Sequence, residues 1–377
     1  MKILLCADWF YPASVGGPAN AIYWQAKALT EAGHDVTVVA TSQDLPPSVP
    51  LNRWLTLACG RVIYTRNPHF YLPLVHSWYA GLSLRRADVV HVNSLFYPSS
   101  LVLVVLARLF GKRVIWSPHG ELSPYALRYS PRRKKVVLTL IRLVNKPVVF
   151  HATCWAEAGH IRDQFGPDVI VVELPIRLEL PVAADRTARP YLLFIGRLHP
   201  IKAIDRLLDA LSMSTLFRTG PYTLTIAGPD ANGYRLTLIE QIRTLGLTEK
   251  VSFIGPVQGE KEQLYADALV TILPSHSENF GLVVIESLAQ GTPVIASTGT
   301  PWRQLETERA GSWVANDPGT LRQAIDTYLT MPADIYEQYR TRAAELARRD
   351  DIHTRGDWER LFAAEPGRTV PATTQSA

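Results

Sequence analysis

The 377-residue chain has few cysteines and no long uninterrupted apolar segment. The three cysteines, Cys6, Cys59 and Cys154, are odd in number and far apart, and no Cys-x-x-Cys pair occurs. We therefore expect reduced, packed thiols and a cytoplasmic protein. The most hydrophobic segment, residues 100–111, contains an arginine and is too short to cross about 30 Å of hydrocarbon. Because Asp8 follows a short apolar run, the first residues do not have the pattern of a signal peptide.

Signals for metal and nucleic-acid binding are also lacking. No Asp-x-Asp occurs, and the nearest pattern, Asp-Trp-Glu at 357–359, falls in a predicted terminal helix. The net charge of +5 is modest, and the basic residues are not interleaved with aromatic ones as in nucleic-acid-binding chains. We expect no metal, no cofactor and no nucleic-acid partner.

Short apolar runs that alternate with longer amphipathic segments dominate the chain. Runs of this kind are typical of strands that are buried on both faces of a parallel sheet. The alternation stops in the Pro-rich, charged residues 175–190 and then restarts. We predict an α/β fold with two Rossmann-like, doubly wound parallel-sheet domains that face a central cleft. The predicted strands are residues 2–7, 35–40, 87–92, 112–117, 147–152 and 168–173, then 191–196, 222–228, 250–255, 268–273 and 292–297.

Domain boundaries follow from the same pattern. We place one domain at residues 1–178 and a second at 179–350. Residues 351–364 are helical in pattern and are expected to pack back on the first domain. Residues 365–377 have little to bury and are expected to form a flexible tail.

Two cations follow the first predicted strand of the second domain. Arg197 and Lys202 bracket the turn that comes after Gly196. An arginine that donates two hydrogen bonds and a lysine that acts as a point charge suit a diphosphate. Two surface cations would give the same local sequence, so this segment alone leaves both interpretations open.

The sequence from 274 to 297 favours ligand binding. Gly281 with Leu282 and Val283 is predicted to form the first turn of a helix, where unpaired amides bind anions. Glu278 and Glu286 lie on either side of that turn and can accept ligand hydroxyls. Paired carboxylates also suggest glycoside hydrolysis. On one continuous helix, however, they would be roughly 12 Å apart, and hydrolases use roughly 5–9.5 Å.

These motifs resemble the retaining glycosyltransferases of family 4. They are Gly-Arg-Leu-x-x-x-Lys, Glu-x7-Glu around Asn-Phe-Gly, and Ala-x-Gly-Thr-Pro-Val-Ile. The resemblance covers nearly the whole chain, is strongest over residues 191–300, and implies the GT-B fold with a nucleotide-sugar donor. It makes the first domain the acceptor domain and the second the donor domain.

The resemblance also implies roles for matching residues. Arg197 and Lys202 would neutralise the donor diphosphate, Glu286 would hold the ribose hydroxyls, and Glu278 would hold the transferred sugar. His119 would lie near the outer hydroxyls of that sugar. The remaining residues would bind the donor mainly through their backbone. Gly16 and Gly17 would lie over the phosphate, and the amides of Leu282 and Val283 would bind the phosphates. The sugar would contact the backbone of Asn279, Phe280 and Gly281, and the base would contact that of Val257.

One departure from the family pattern narrows the resemblance. Many members have Gly-Gly-x-Pro-Glu where this chain reads STGTPWRQLE at 297–306, followed by GSWV at 311–314. This variant is similar to bacterial glycosyltransferases of polysaccharide biosynthesis, including lipopolysaccharide and exopolysaccharide. We transfer no role from the common motif to Trp302 or Arg303.

The expected reaction moves a hexose from a UDP- or GDP-linked sugar to a glycan or lipid-linked glycan, with retention and without metal. A non-hydrolysing nucleotide-sugar epimerase and a non-catalytic nucleotide-binding GT-B subunit are the alternatives. Residues 128–146 hold seven Lys/Arg and no acid. They fit either a helix on the inner-membrane surface or a solvated helix whose other face is core.

Overall fold

The computed structural model describes residues 1–13, 17–69, 71–145, 148–167, 170–173, 183, 187–230, 233–257, 261–349 and 361–362. The chain divides into two compact units. The first is Met1–Leu178 with His353–Ala377, and the second is Glu179–Ile352. Each unit is a Rossmann-like α/β layer built on a parallel sheet, which confirms the predicted fold class.

The sheet of the first unit has eight strands in the order β3-β4-β2-β1-β5-β6-β7-β8. All of its pairings are parallel except the edge pair, in which β3 runs antiparallel to β4. The order turns back between β1 and β5. Ile3 of β1 lies opposite Val36 of β2 on one side and Val89 of β5 on the other. The strands are β1 (Lys2–Ala7), β2 (Asp35–Thr41), β3 (Trp54–Leu57), β4 (Gly60–Thr65), β5 (Val89–Asn93), β6 (Arg113–Ser117), β7 (Val149–Ala152) and β8 (Ile170–Glu173).

Helices cover both faces of this sheet because the strand residues that point to either face are apolar. Leu4 and Cys6 face one core cluster, whereas Ile3 and Leu5 face the other. The helices are α1 (Gly17–Glu31), α2 (Leu74–Leu84), α3 (Pro98–Leu109), α4 (Pro124–Leu127), α5 (Pro131–Val144) and α6 (Trp155–Phe165). Helices α2, α3 and α5 pack on the Leu4 side, and α1 packs on the Ile3 side.

A short C-terminal segment also belongs to the core of the first unit. Leu361 and Phe362 are fully buried in the cluster that holds Ile3 and Leu5. The ring of Phe362 lies 6.1 Å from the ring of His91. The rest of the predicted helix at 351–364 and the predicted tail lie outside the described residues.

The second unit has a six-stranded, fully parallel sheet in the order β11-β10-β9-β12-β13-β14. Its strands are β9 (Tyr191–Ile195), β10 (Thr223–Ala227), β11 (Val251–Gly255), β12 (Val270–Leu273), β13 (Val294–Ser297) and β14 (Gly311–Val314). Its helices are α7 (Ile204–Met213), α8 (Thr215–Thr219), α9 (Tyr234–Thr244), α10 (Lys261–Asp267), α11 (Leu282–Ala289), α12 (Gln304–Thr307), α13 (Pro318–Leu329) and α14 (Ala333–Ala347). Among the described residues, no helix combines the length and apolar character needed to cross a membrane.

Candidate functional site

The strand order of the second unit reverses between β9 and β12. Ligands of open α/β sheets bind outside the carboxyl ends of the strands at such a reversal. Two loops leave these ends side by side, Gly196–Lys202 after β9 and Pro274–Gly281 after β12. The loops are joined because the amide of His276 donates to the carbonyl of Ile201 at 2.8 Å. The motifs of the sequence therefore meet at the edge where a ligand is expected.

Glu278 and Lys202 form a mostly buried ion pair across these loops. Oε1 of Glu278 accepts hydrogen bonds from Nζ of Lys202 and, at 2.7 Å, from Oγ of Ser275. The amide of Glu278 donates to the carbonyl of Gly299 at 2.8 Å, which fixes the backbone. Within the described part of the chain, Oε2 of Glu278 has no protein partner. One oxygen thus holds the side chain in place, and the other remains able to accept a ligand hydroxyl.

Arg197 carries an unsatisfied donor at this edge. Its Nε is buried and has no hydrogen-bond partner among the described residues. Leaving a buried donor unpaired costs about 1–3 kcal/mol or more for a charged group. Burial lowers the pKa of His199, and the nearby cations Arg197 and Lys202 lower it further, so the loop is electropositive. An anionic ligand would satisfy both features at once.

A glycine permits this placement of Arg197. A Cβ atom on Gly228 would lie 1.9 Å from the carbonyl oxygen of Gly196 and 3.4 Å from the amide of Arg197. Gly228 also has φ +145°, which L side chains rarely adopt. The end of β10 can therefore press against the Gly196–Arg197 peptide only because residue 228 has no side chain.

Helix α11 begins one residue later than predicted, at Leu282. Gly281 precedes it in the left-handed conformation, with φ 79° and ψ 63°. Its amide-rich first turn includes Leu282 and Val283, whose N–H groups have no acceptor among the described residues. Trp302 supports this turn, because its Nε1 donates to the carbonyl of Phe280 and its ring packs edge-on at 5.2 Å from that of Phe280. The sequence motifs predicted no role for Trp302, yet its side chain fixes the backbone before the start of α11.

Glu286 is held by two donors from α10. Its Oε2 accepts from Nζ of Lys261 at 2.5 Å and from the hydroxyl of Tyr265 at 2.7 Å. Burial and the neighbouring Glu286 raise the pKa of Tyr265, so this hydroxyl remains a donor. Within the described residues, Oε1 of Glu286 has no partner. Lys261 and Tyr265 were not predicted as site residues, although their spacing of four places both on one face of α10.

The second unit thus brings most predicted site residues together. Val257 and Val283 pack against the apolar cluster that contains Tyr265, next to Glu286. Of the remaining predicted residues, Gly16 lies outside the described residues and Gly17 begins α1 in the first unit.

His119 follows β6 in the first unit and has left-handed backbone, with φ 49°. Its Nε2 lies 2.8 Å from Oδ1 of Asn93, while Nδ2 of Asn93 donates to the carbonyl of Cys6 at 3.1 Å. Because Oδ1 can only accept, Nε2 of His119 carries the proton. Burial lowers the pKa of His119 to about 4, so the ring is neutral near pH 7. Its Nδ1 is therefore an acceptor, which suits a hydroxyl ligand rather than a phosphate.

An acidic pair lies at the strand reversal of the first unit, between β1 and β5. Ser94 donates to Oε1 of Glu121 at 2.7 Å, and the amide of Leu95 donates to Oε2 at 2.5 Å. Burial, and secondarily Glu121, raise the pKa of Asp8 to about 8. Burial raises the pKa of Glu121 to about 7. The sequence analysis assigned neither acid a role, although Asp8 directly follows the first strand.

This acidic pair makes the stability of the chain depend on pH. Both folded pKa values lie above the ordinary values of 3.8 and 4.5, so the stabilising contribution of the two protonated acids is complete below about pH 4 and is lost as the pH rises to about 8. We expect Asp8→Asn to remove much of the loss of unfolding free energy between about pH 4 and pH 8, on the order of a few kcal/mol. Urea unfolding across that range measures it, with Asp35→Asn on the surface as the control. Parallel curves for wild type and Asp8→Asn would contradict the assignment.

Two separately wound parallel sheets, each with polar loops at its strand reversal, define the GT-B class of α/β proteins. A family model described as Glycosyl transferases group 1 matches residues 179–349, and one described as Glycosyltransferase Family 4 matches residues 15–180. A D-inositol 3-phosphate glycosyltransferase of Acidothermus cellulolyticus is 36% identical over 311 residues, which are 72% of this chain and 68% of that protein. The chain belongs to the family 4 glycosyltransferases.

Further relatives span nearly the whole chain. A glycogen synthase of Mycobacterium tuberculosis (strain CDC 1551 / Oshkosh) is 28% identical over 97% of this chain and 93% of its own length. The sucrose-phosphate synthase of Thermosynechococcus elongatus has a TM-score of 0.77 at 20% identity, covering 96% of this chain and 98% of that one. The Anabaena protein HepE, solved in complex with UDP and glucose, has a TM-score of 0.76 at 19% identity, covering 97% of this chain and 100% of that one. These structures share the fold.

Proposed function

We propose that this glycosyltransferase moves a hexose, with retention, from a UDP- or GDP-linked sugar to a glycan or lipid-linked glycan in cell-surface polysaccharide biosynthesis. The observation that carries the proposal is the unpaired Nε of Arg197 beside the Lys202–Glu278 pair at the strand reversal of the second unit. The two cations and the first amides of α11 suit the diphosphate of a nucleotide sugar. The carboxylates of Glu278 and Glu286, each with one oxygen that has no partner among the described residues, suit its hydroxyls.

Each part of such a donor has a matching group. The diphosphate takes the guanidinium of Arg197, the ammonium of Lys202 and the first amides of α11. The sugar hydroxyls donate to the unoccupied oxygen of Glu278, and the ribose hydroxyls donate to that of Glu286. The solved structures of HepE with UDP and with UDP-glucose support a uridine donor among the alternatives.

The chemistry that fits these groups is displacement of the diphosphate with charge stabilisation by the protein. Arg197, Lys202 and the amides of α11 neutralise the negative charge that develops on the leaving oxygen. Glu278 is held by Ser275 and presents its second oxygen to the sugar hydroxyls, and it therefore serves as a hydroxyl acceptor rather than as a nucleophile. Retention then follows from attack by the acceptor hydroxyl on the face that the diphosphate leaves, with a phosphate oxygen accepting the proton. His119 contributes a neutral acceptor for a substrate hydroxyl.

The proposal includes independence from metal and a cytoplasmic location. The charge balance above is supplied by side chains and amides, so transfer proceeds in the presence of a chelator. Cys6 and Cys59 are buried and form no disulfide, which suits a reducing compartment.

A thermal-shift and transfer experiment tests the proposal. UDP, GDP and ADP are each added to wild type, to Arg197→Ala and to Arg218→Ala, an exposed arginine of the same unit. We expect one nucleotide at 100 times its dissociation constant to stabilise wild type and Arg218→Ala by about 2.7 kcal/mol, and Arg197→Ala far less. The matching sugar nucleotide is then incubated with EDTA, with and without glycan acceptor.

The outcomes separate the candidate functions. Acceptor-dependent release of the nucleotide, with sugar joined to the acceptor, supports transfer. Conversion of the donor sugar without acceptor would identify an epimerase, and binding without turnover a non-catalytic subunit. If no nucleotide stabilises the protein, the proposed donor site is wrong.

A further inference from the structure

Three helices on one side of the first unit expose apolar stripes. Helices α2, α3 and α5 pack on the same face of the sheet, and α3 contacts both of the others. Their inner residues, among them Ala80, Leu103 and Ile141, are fully buried in one core cluster. Their outer residues therefore point away from the sheet on a common side. We call this side the outer face.

Each helix contributes three large apolar residues to the outer face at helical spacing. The exposed fractions reach 66% for Trp78, 77% for Leu109 and 75% for Leu143. The full set is Leu74, Trp78 and Leu82 from α2, Val102, Val105 and Leu109 from α3, and Val136, Leu140 and Leu143 from α5. Single exposed apolar residues are ordinary, but three parallel stripes form a patch of the kind that marks an interaction site.

The charges around the outer face are predominantly basic. Residues 71–145 contain eleven Lys/Arg and only two acids, Asp88 and Glu121. Glu121 is held by Ser94 and Leu95, and Asp88 accepts from the amide of Lys2. No Asp or Glu occurs within α2, α3 or α5. The charges that α2, α3 and α5 carry around the apolar stripes are therefore all basic.

A basic depression adjoins α5. Its volume is about 290 Å³, and three of its lining residues are the cations Lys134, Lys135 and Arg142. Lys134 is anchored to the carbonyl of Ala126 at 2.7 Å, and Arg142 to that of Gln164 at 2.9 Å. Anchored cations next to exposed leucine and valine match an anionic headgroup above an acyl chain.

We propose that the outer face docks on an anionic lipid bilayer, with the stripes of α2, α3 and α5 entering the interface. Amphipathic helices with apolar residues on one side and Lys/Arg around them lie at such interfaces, and tryptophan favours the same depth. A second copy of this chain is disfavoured because two faces of the same sign repel. This proposal goes beyond the single basic segment predicted at 128–146 and is independent of the donor site.

Flotation with lipid vesicles tests the docking. The full chain is mixed with vesicles of phosphatidylcholine, or of phosphatidylcholine and phosphatidylglycerol in equal amounts. We expect binding only to the anionic vesicles, and its loss when salt rises from about 0.15 M to 1 M and the Debye length falls from about 8 Å to 3 Å.

Two triple variants separate the apolar and electrostatic parts. Trp78→Ser with Leu109→Ser and Leu143→Ser should weaken binding by at least about 10-fold. The charge variant should weaken it on the order of 100-fold, and it combines Arg132→Gln, Arg133→Gln and Lys135→Gln. A matched control changes exposed apolar residues of the second unit and should bind like wild type; it combines Met213→Ser, Leu236→Ser and Ile239→Ser.

Three results would overturn the docking proposal. They are equal binding to neutral vesicles, unchanged binding by both outer-face variants, and self-association of wild type that the apolar variant abolishes in sedimentation velocity. Nucleotide-induced thermal shifts of the same variants report on the second unit alone, so failure of the docking is distinguishable from failure of the proposed transfer.

Discussion

Lys202→Ala is expected to lower kcat for transfer by about 10²–10³-fold, the loss seen when one preorganised charge-stabilising donor is removed. The change deletes a cation that neutralises the leaving diphosphate. It also leaves the mostly buried carboxylate of Glu278 with Ser275 as its one side-chain donor among the described residues. Steady-state kinetics with donor and acceptor both varied measure the loss.

The control for Lys202 is an exposed ion pair in the same unit. Arg243 lies 2.9 Å from Glu240, and both side chains are largely exposed. Arg243→Ala should leave kcat unchanged, because exposed pairs contribute about 0–1 kcal/mol. Thermal unfolding without ligand shows whether Lys202→Ala is folded. A folded Lys202→Ala enzyme that keeps most of its kcat would remove Lys202 from the mechanism.

Gly228→Ala is expected to destabilise the second unit by at least about 3 kcal/mol, at the upper end for overpacked positions. The added Cβ would meet backbone rather than a movable side chain, at 1.9 Å from the oxygen and 2.6 Å from the carbon of the Gly196 carbonyl. Relief requires β10 to move from β9, which also displaces Arg197. Urea unfolding should show the lower stability, and nucleotide affinity should fall with it.

Gly246 provides a matched control for this substitution. It also has positive φ, +68°, but an added Cβ would meet nothing within 4 Å. Gly246→Ala should therefore cost only the backbone strain of about 1–2 kcal/mol. If the two variants have the same free energy of unfolding, the end of β10 does not lie as close to the Gly196 carbonyl as the structure places it.

Local pattern was sufficient for most strands of both sheets. Buried parallel strands such as β1 and β9 are continuous apolar runs, so they are recognisable without tertiary information. The edge hairpin β3–β4 was not predicted, because β3 is only half-buried and pairs antiparallel. The start of α11 was predicted one residue early, because the sequence does not show the left-handed conformation that places Gly281 before the helix.

Some site residues could be predicted from local motifs, whereas others could not. Arg197, Glu278 and Glu286 stand in motifs whose spacing indicates their chemistry. The donors that hold Glu286 come from a different helix, and the indole that supports Phe280 comes 22 residues later. Such partners are set by how α10 and the loop after β13 pack, which spacing along the chain does not encode.

The ion pair between Lys202 and Glu278 affects product release under the proposed function. An incoming donor exchanges partners with the pair: its phosphate takes the ammonium while its hydroxyls take the acid. The product nucleotide still attracts the ammonium of Lys202 but has no sugar hydroxyl for Glu278. While the product is bound, the carboxylate of Glu278 therefore lacks the ligand partner that the donor supplied. The site should therefore bind the nucleotide sugar more tightly than the nucleotide product. When the Lys202–Glu278 ion pair forms again, it favours release of the nucleotide.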